Sequence, residues 1–243
     1  MNVDLSNSAA IVTGGSKGYG AGIAEVLKRE GAEVWITGRD EEALKETSQR
    51  LGVNASKADV TSADHWDRLF KEVLGKAGKL DILVNNAGAG IKIAPLTETS
   101  DDEILQSIAI NLSGALLGCR RAAEVMEKQK SGTIINVSSV CATQAWPSFV
   151  VYSAAKAGLV QGTKCLYNEL RDSGVRVTSV IPSWGATSFA KAAGLPVRDE
   201  ETLAKCIQPQ ELGELIAHIC ALPAHLVIQE VILWPMVQEV NPL

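Results

Sequence analysis

Ala9-Ala10-Ile11-Val12-Thr13-Gly14-Gly15-Ser16-Lys17-Gly18-Tyr19-Gly20 is the stretch that sets the architecture of this chain. A short apolar run, Ala9–Thr13, reads as a buried strand, and the glycines after it as a turn that opens a helix. Glycine tolerates positive φ and lets backbone N–H groups close on a pyrophosphate, which then rests on the positive end of that helix. The usual G-x-G-x-x-G spacing is not met, because Ile23 stands where a third glycine would fall. The spacing is instead Thr-Gly-x-x-x-Gly-x-Gly.

Downstream, the same strand-then-helix pattern recurs. Strands are expected at Ala9–Thr13, Glu33–Thr37, Asn54–Ala58, Ile82–Asn85, Thr133–Ser138, Arg176–Pro182 and Val231–Trp234. Several are apolar at consecutive positions, as parallel strands covered on both faces are. Helix-period segments lie between them, at about Gly20–Glu30, Glu41–Leu51, Ala63–Ala77, Asp101–Gln129, Tyr152–Ser173 and Gln210–Leu222. Alternation of this kind predicts an α/β fold: a Rossmann-like, doubly wound parallel sheet of about seven strands with helices on both faces. No Pro/Gly/Ser linker divides it, so one domain over 1–243 is expected. The segment 183–208 falls outside the alternation and suits a substrate-binding loop or lid.

Composition narrows the class. In 243 residues, 46% are apolar and 21% charged, ordinary for a globular protein with a sizeable core. A net charge of −5 with no Lys/Arg cluster offers no surface for nucleic acid. No basic-then-apolar leader and no membrane-length apolar run is read, and the five cysteines have no Cys-x-x-Cys spacing. With three scattered histidines, these features predict a cytoplasmic protein without a metal site.

Tyr152-Ser153-Ala154-Ala155-Lys156 carries the chemistry. A phenol and an ammonium four residues apart share a helix face. A free tyrosine has a pKa near ~10, and a nearby cation lowers it, making the phenol usable as a general acid or base. Ser139, thirteen residues upstream, could hold the oxygen of a carbonyl or an alcohol.

Taken together, Thr13-Gly14-x-x-x-Gly18-x-Gly20, Asp59, Asn85-Asn86-Ala87-Gly88, Asn111, Ser139 and Tyr152/Lys156 resemble the classical short-chain dehydrogenase/reductase family over the whole chain. The resemblance implies a catalytic tetrad of Asn111, Ser139, Tyr152 and Lys156. Tyr152 would donate the proton in reduction and Ser139 would polarise the carbonyl. Lys156 would hold ribose hydroxyls and lower the Tyr152 pKa, and Asn111 would anchor a proton-relaying water. It also implies cofactor contacts at Gly14, Ser16, Lys17, Gly18, Tyr19, Gly20, Arg39, Asp59, Val60, Asn86, Ala87, Gly88, Tyr152, Lys156, Pro182 and Thr187. Asp59 would touch the adenine and Thr187 the carboxamide. A homodimer or homotetramer through the Asp101–Gln129 and Tyr152–Ser173 helices is expected.

In family register the residue that selects the nicotinamide is Gly38, followed by Arg39 and within reach of Lys17. A carboxylate there would bind the ribose 2′-OH of NAD, whereas an arginine accommodates the 2′-phosphate of NADP. Two cations and no acid favour NADP(H) over NAD(H), while Asp40 is read as a cap of the next helix. Two departures stand out. Pro182-Ser183 replaces the usual Pro-Gly, which puts the loop geometry there in question, and the usual C-terminal Gly-Gly is missing. The tail, with Thr37-Gly38-Arg39, resembles the branch acting on serine, allo-threonine and related 3-hydroxy acids. Such a substrate would need Lys191 or Arg198 for its carboxylate, whereas Trp146, Phe149, Trp184 and Phe189 point to an apolar or aromatic carbonyl. Rival readings are an NAD-dependent dehydrogenase of a small hydroxy acid or sugar-like alcohol, and a non-catalytic NADP-binding redox sensor.

Overall fold

β1 (Ala9–Thr13) is buried at every position and lies between β2 (Glu33–Gly38) and β4 (Ile82–Asn85), parallel to both. The computed structural model describes residues 3–239. With β3 (Asn54–Lys57), β5 (Gly132–Val137), β6 (Val175–Pro182) and β7 (Glu230–Leu233), the strands form one parallel sheet in the order β3-β2-β1-β4-β5-β6-β7. Each expected strand forms, with ends displaced by no more than one residue. The order reverses between β1 and β4, which opens a crevice at the carboxyl edge of the sheet.

Alternation along the strands feeds two apolar layers. Ala10, Val12, Val34, Ile36, Val84, Ile135 and Val180 face α1 (Gly18–Arg29) and α9 (Pro209–Cys220), packing with Ile23, Leu27, Leu212 and Ile216. Ile11, Trp35, Leu83, Ile134 and Val177 face the opposite way, onto Trp66, Leu69, Met126 and Leu170. These come from α3 (Ala63–Ala77), α5 (Gly114–Gln129) and α6 (Val150–Leu170). Caps fix the helix starts: Asp40 accepts the Ala43 N–H at α2 (Glu41–Leu51), and Ser62 accepts the His65 N–H at α3. Asp40 is therefore a cap, as its position suggests. Among the described residues no helix is long and apolar enough to cross a membrane.

One long helix was expected over Asp101–Gln129, and the structure divides it. α4 (Asp101–Ile108) and α5 are joined by a π-helical turn, Ala109–Ser113, centred on Asn111. The cause is a competing set of hydrogen bonds. Asn111 Nδ2 donates to Ala89 O (2.8 Å) and Ser107 O (3.0 Å), and Asn111 Oδ1 accepts the Ala89 N–H (3.1 Å). Tying the side chain to the β4 loop displaces the regular ladder, the usual setting of a π turn.

Residues 183–208 are partly ordered into α7 (Phe189–Ala192) and α8 (Glu200–Ala204). Their neck is closed by a parallel bridge between Gly185 and Ile207, with Ala186 N–H on Ile207 O and Ile207 N–H on Trp184 O. A Cβ on Gly185 would run into the Tyr19 phenol, so glycine is required for the neck to lie on the first turn.

Candidate active site

The glycine turn is held from below by β1 and β4. Thr13 Oγ1 accepts the N–H groups of Asn86 (3.0 Å) and Ala87 (2.9 Å), and Asn86 Nδ2 donates to Thr13 O (2.9 Å). Gly14 and Gly18 both have positive φ, at 64° and 53°. A Cβ on Gly20 would overlap the Gly14 carbonyl, and one on Gly18 would press on the Thr187 side chain at 3.4 Å. The turn therefore faces Thr187 across the crevice beyond Pro182, the last residue of β6. Ser16 Oγ sits beside Gly38, and the Ser16 carbonyl accepts the Thr47 hydroxyl at 2.7 Å. Arg39 is close enough for its charge to act on Asp59. Burial works to raise the Asp59 carboxyl, but hydrogen bonds from Thr61, with the charge of Arg39, hold it below the ordinary range. Val60 packs on Gly114, where a Cβ would strike it.

The four residues of the expected tetrad meet at the carboxyl ends of β4 and β5. Ser139 follows β5, and its Oγ accepts the Cys141 N–H at 3.2 Å and interacts with the Tyr152 hydroxyl. Lys156 is 3% exposed; its Nζ donates to Val137 O at 3.0 Å and lies 5.9 Å from the centre of the Tyr152 ring. Gly88 closes the group, since a Cβ there would meet Asn111 Oδ1 at 3.0 Å and Lys156 Nζ at 3.3 Å. The π turn is what brings Asn111 to this point.

The electrostatics differ from the simple expectation that Lys156 pulls the Tyr152 pKa down. Burial pushes the phenol up, the charge of Cys141 adds to this, and the Ser139 hydrogen bond opposes it. Burial likewise pushes Lys156 down, to about 8. The lysine spends a donor on a backbone carbonyl and stands off the ring, so desolvation governs both groups and favours their neutral forms.

Of the expected aromatic lining, Phe189 of α7 lies against the Tyr152 ring with centroids 5.4 Å apart, and Phe149 at 6.4 Å. Trp146 pairs with Phe149 (6.3 Å), and Trp184 lies beneath the Arg198 guanidinium at 3.5 Å. Lys191 is exposed on α7. Ser183 has a reason that the sequence did not disclose: its hydroxyl bonds Gln238 Oε1, which also accepts the Trp184 N–H at 3.2 Å. Cys141 was also missed, and only its place two residues after Ser139 could have drawn attention to it.

Residues 8–196 match the family model described as short chain dehydrogenase. The chain belongs to the short-chain dehydrogenase family. An uncharacterised oxidoreductase of Staphylococcus aureus (strain USA300) is 32% identical over 235 residues, covering 96% of this dehydrogenase-family chain and 99% of its own. A solved structure of the closed form of serine dehydrogenase complexed with NADP+ superposes with a TM-score of 0.88 at 27% identity, over 97% of this chain and 98% of that one. A metagenomic short-chain oxidoreductase in complex with NADP has a TM-score of 0.82 at 31% identity, over 96% and 99%.

The residues of this family member fit a dinucleotide. Its glycine turn offers free backbone donors at the start of α1, and the Lys156 ammonium has one protein partner among the described residues and two donors over.

Proposed function

We propose that this protein is an NADP(H)-dependent oxidoreductase that interconverts a carbonyl and a secondary alcohol, with Tyr152 as general acid and base. The observation that carries the reading is the convergence of Ser139, Tyr152, Lys156 and Asn111 on one buried point between β4 and β5. NADP(H), when bound, supplies or accepts the hydride. Everything else falls to the chain. Glycines 14, 18 and 20 keep the turn open to the pyrophosphate, and Asn86, Ala87 and Gly88 line the crevice beside it. Ser16 Oγ stands beside Gly38, and with the neighbouring Lys17 and Arg39 it would give a 2′-phosphate a donor and two cations. The NADP carried by two superposable structures supports that choice.

A buried phenol held in its neutral form is the acid needed to protonate a carbonyl oxygen. Ser139 would hold that oxygen, and the Lys156 cation would compensate the phenolate left behind. Asn111 lies where a water could link Lys156 to solvent. Phe149 and Phe189 exclude water from the reacting oxygen. The segment 183–208, through Phe189, would act as the lid. Partly exposed Leu105, Leu116 and Val150 on α4, α5 and α6 support a homo-oligomer along these helices.

A second substrate reading, a small hydroxy acid, is favoured by Arg198. It rests on Trp184 with no acidic partner among the described residues, free to meet a carboxylate, and serine dehydrogenase is among the superposable structures. The test is NADPH consumption across 3-oxo acids, aliphatic ketones and aromatic diketones. Turnover that falls at least 10³-fold in Tyr152→Phe while NADPH still binds supports the assignment. No turnover with any of these, or undiminished turnover in the variant, overturns it. Arg39→Ala should weaken NADPH at least tenfold and leave NADH unchanged.

A further inference from the structure

The turn that follows β3 is held from α3 by two side chains. Trp66 donates its indole N–H to Val60 O at 2.8 Å, and His65 Nδ1 accepts the Asp59 N–H at 2.9 Å. In an ordinary capping box, the side chain at the third helical position reaches back to the N–H of the cap residue. His65 occupies that position behind Ser62 but reaches three residues further back, to Asp59. A ring nitrogen that accepts an N–H carries no proton, so this bond assigns the neutral imidazole with its hydrogen on Nε2.

We propose that His65 is a positioning residue for the adenine side of the dinucleotide site, and that its protonation loosens dinucleotide binding. The proposal rests on the reading that Asp59 and Val60 seat the adenine. A second proton on Nδ1 sets a donor against the Asp59 N–H, and the bond is lost. The resulting cation is then drawn to the Asp59 carboxylate, which the Thr61 N–H (2.9 Å) and hydroxyl (2.8 Å) otherwise hold in place. Both effects move the same turn. The charged groups around it are Asp59 itself, Arg39 from the end of β2 acting on Asp59, and Asp64 and Arg68 on α3.

The experiment is fluorescence titration of the full chain with NADPH from pH 5.5 to 8, in the wild type and in His65→Gln, whose amide oxygen accepts an N–H at any pH. The 2′-phosphate of NADPH titrates near pH ~6. It does so for both proteins, so the quantity read is the ratio of their dissociation constants. Between pH 7.5 and 5.5 the wild type should lose about fivefold more affinity than the variant, the worth of one net hydrogen bond. Should His65→Gln fold poorly, His65→Glu, the ordinary capping-box residue, serves the same comparison. Binding with parallel pH profiles overturns this proposal alone. NADPH failing to bind at any pH overturns the cofactor reading with it.

Discussion

Replacing Lys156 by methionine should make this protein more stable at neutral pH. The ammonium is buried and burial holds its pKa at about 8, against an ordinary 10.5. At about 1.4 kcal/mol per pH unit, that drop costs the fold about 3 kcal/mol wherever the lysine is charged in both states. Methionine has a similar length and no charge to desolvate, but it forfeits the hydrogen bond to Val137 O, worth about 1 kcal/mol. The net gain is about 2 kcal/mol, or ~4–8 °C in melting temperature for a domain of this size. The sign with pH follows from the lowered folded-state value. Below about pH 8 the penalty is full, and it is relieved as the pH rises toward 10.5, because there the unfolded chain binds more protons. Thermal melts of both proteins from pH 6 to 10 should show a gap that is widest at pH 7 and closes toward pH 10. The variant should be inactive throughout, trading function for stability. A methionine variant that melts below the wild type at pH 7, or a gap that stays constant to pH 10, would refute the reasoning.

Asn111→Ala removes the side-chain hydrogen bonds that tie the π turn to Ala89 and Ser107; urea unfolding should show a loss of about 2–3 kcal/mol. Gly185→Ala drives a methyl into the Tyr19 phenol and should destabilise by about 1–3 kcal/mol. Tyr19→Leu should recover part of that loss, which a double-mutant cycle would read as a coupling above about 0.5 kcal/mol. Ser183→Gly restores the family's usual Pro-Gly yet should cost about 1 kcal/mol of unfolding free energy in a denaturant titration, because the Gln238 amide loses its hydroxyl partner.

Strands were legible because β1, β2, β4 and β6 are buried on both faces, and short β-rich segments set between helix-period stretches have few other readings. The tetrad was legible because residue type and order alone mark it. What escaped was set at long range. The break at Asn111 depends on Ala89, twenty-two residues away, and the Ser183 hydroxyl answers Gln238, fifty-five residues on. Periodicity sees neither. The balance at Tyr152 and Lys156 escaped for a different reason: spacing along a helix shows that two charges are neighbours, and only the fold shows how little water surrounds them.

The π turn also makes the helical arm sensitive to length. Its five residues accommodate one more residue than a regular turn, and each residue of an α-helix advances the face by about 100°. Residues 101–108 and 114–129 are therefore two amphipathic faces written in different phase. Excising any single residue between them would let the arm relax into one unbroken helix, compositionally almost unchanged and locally better bonded. Residues 101–108 and Cys119, Ala122 and Met126 would keep their faces, and the loss would fall on Asn111, whose place in the site depends on the extra residue. A single-residue deletion scan across 109–113 should therefore separate the two roles of the arm, keeping the fold while abolishing turnover.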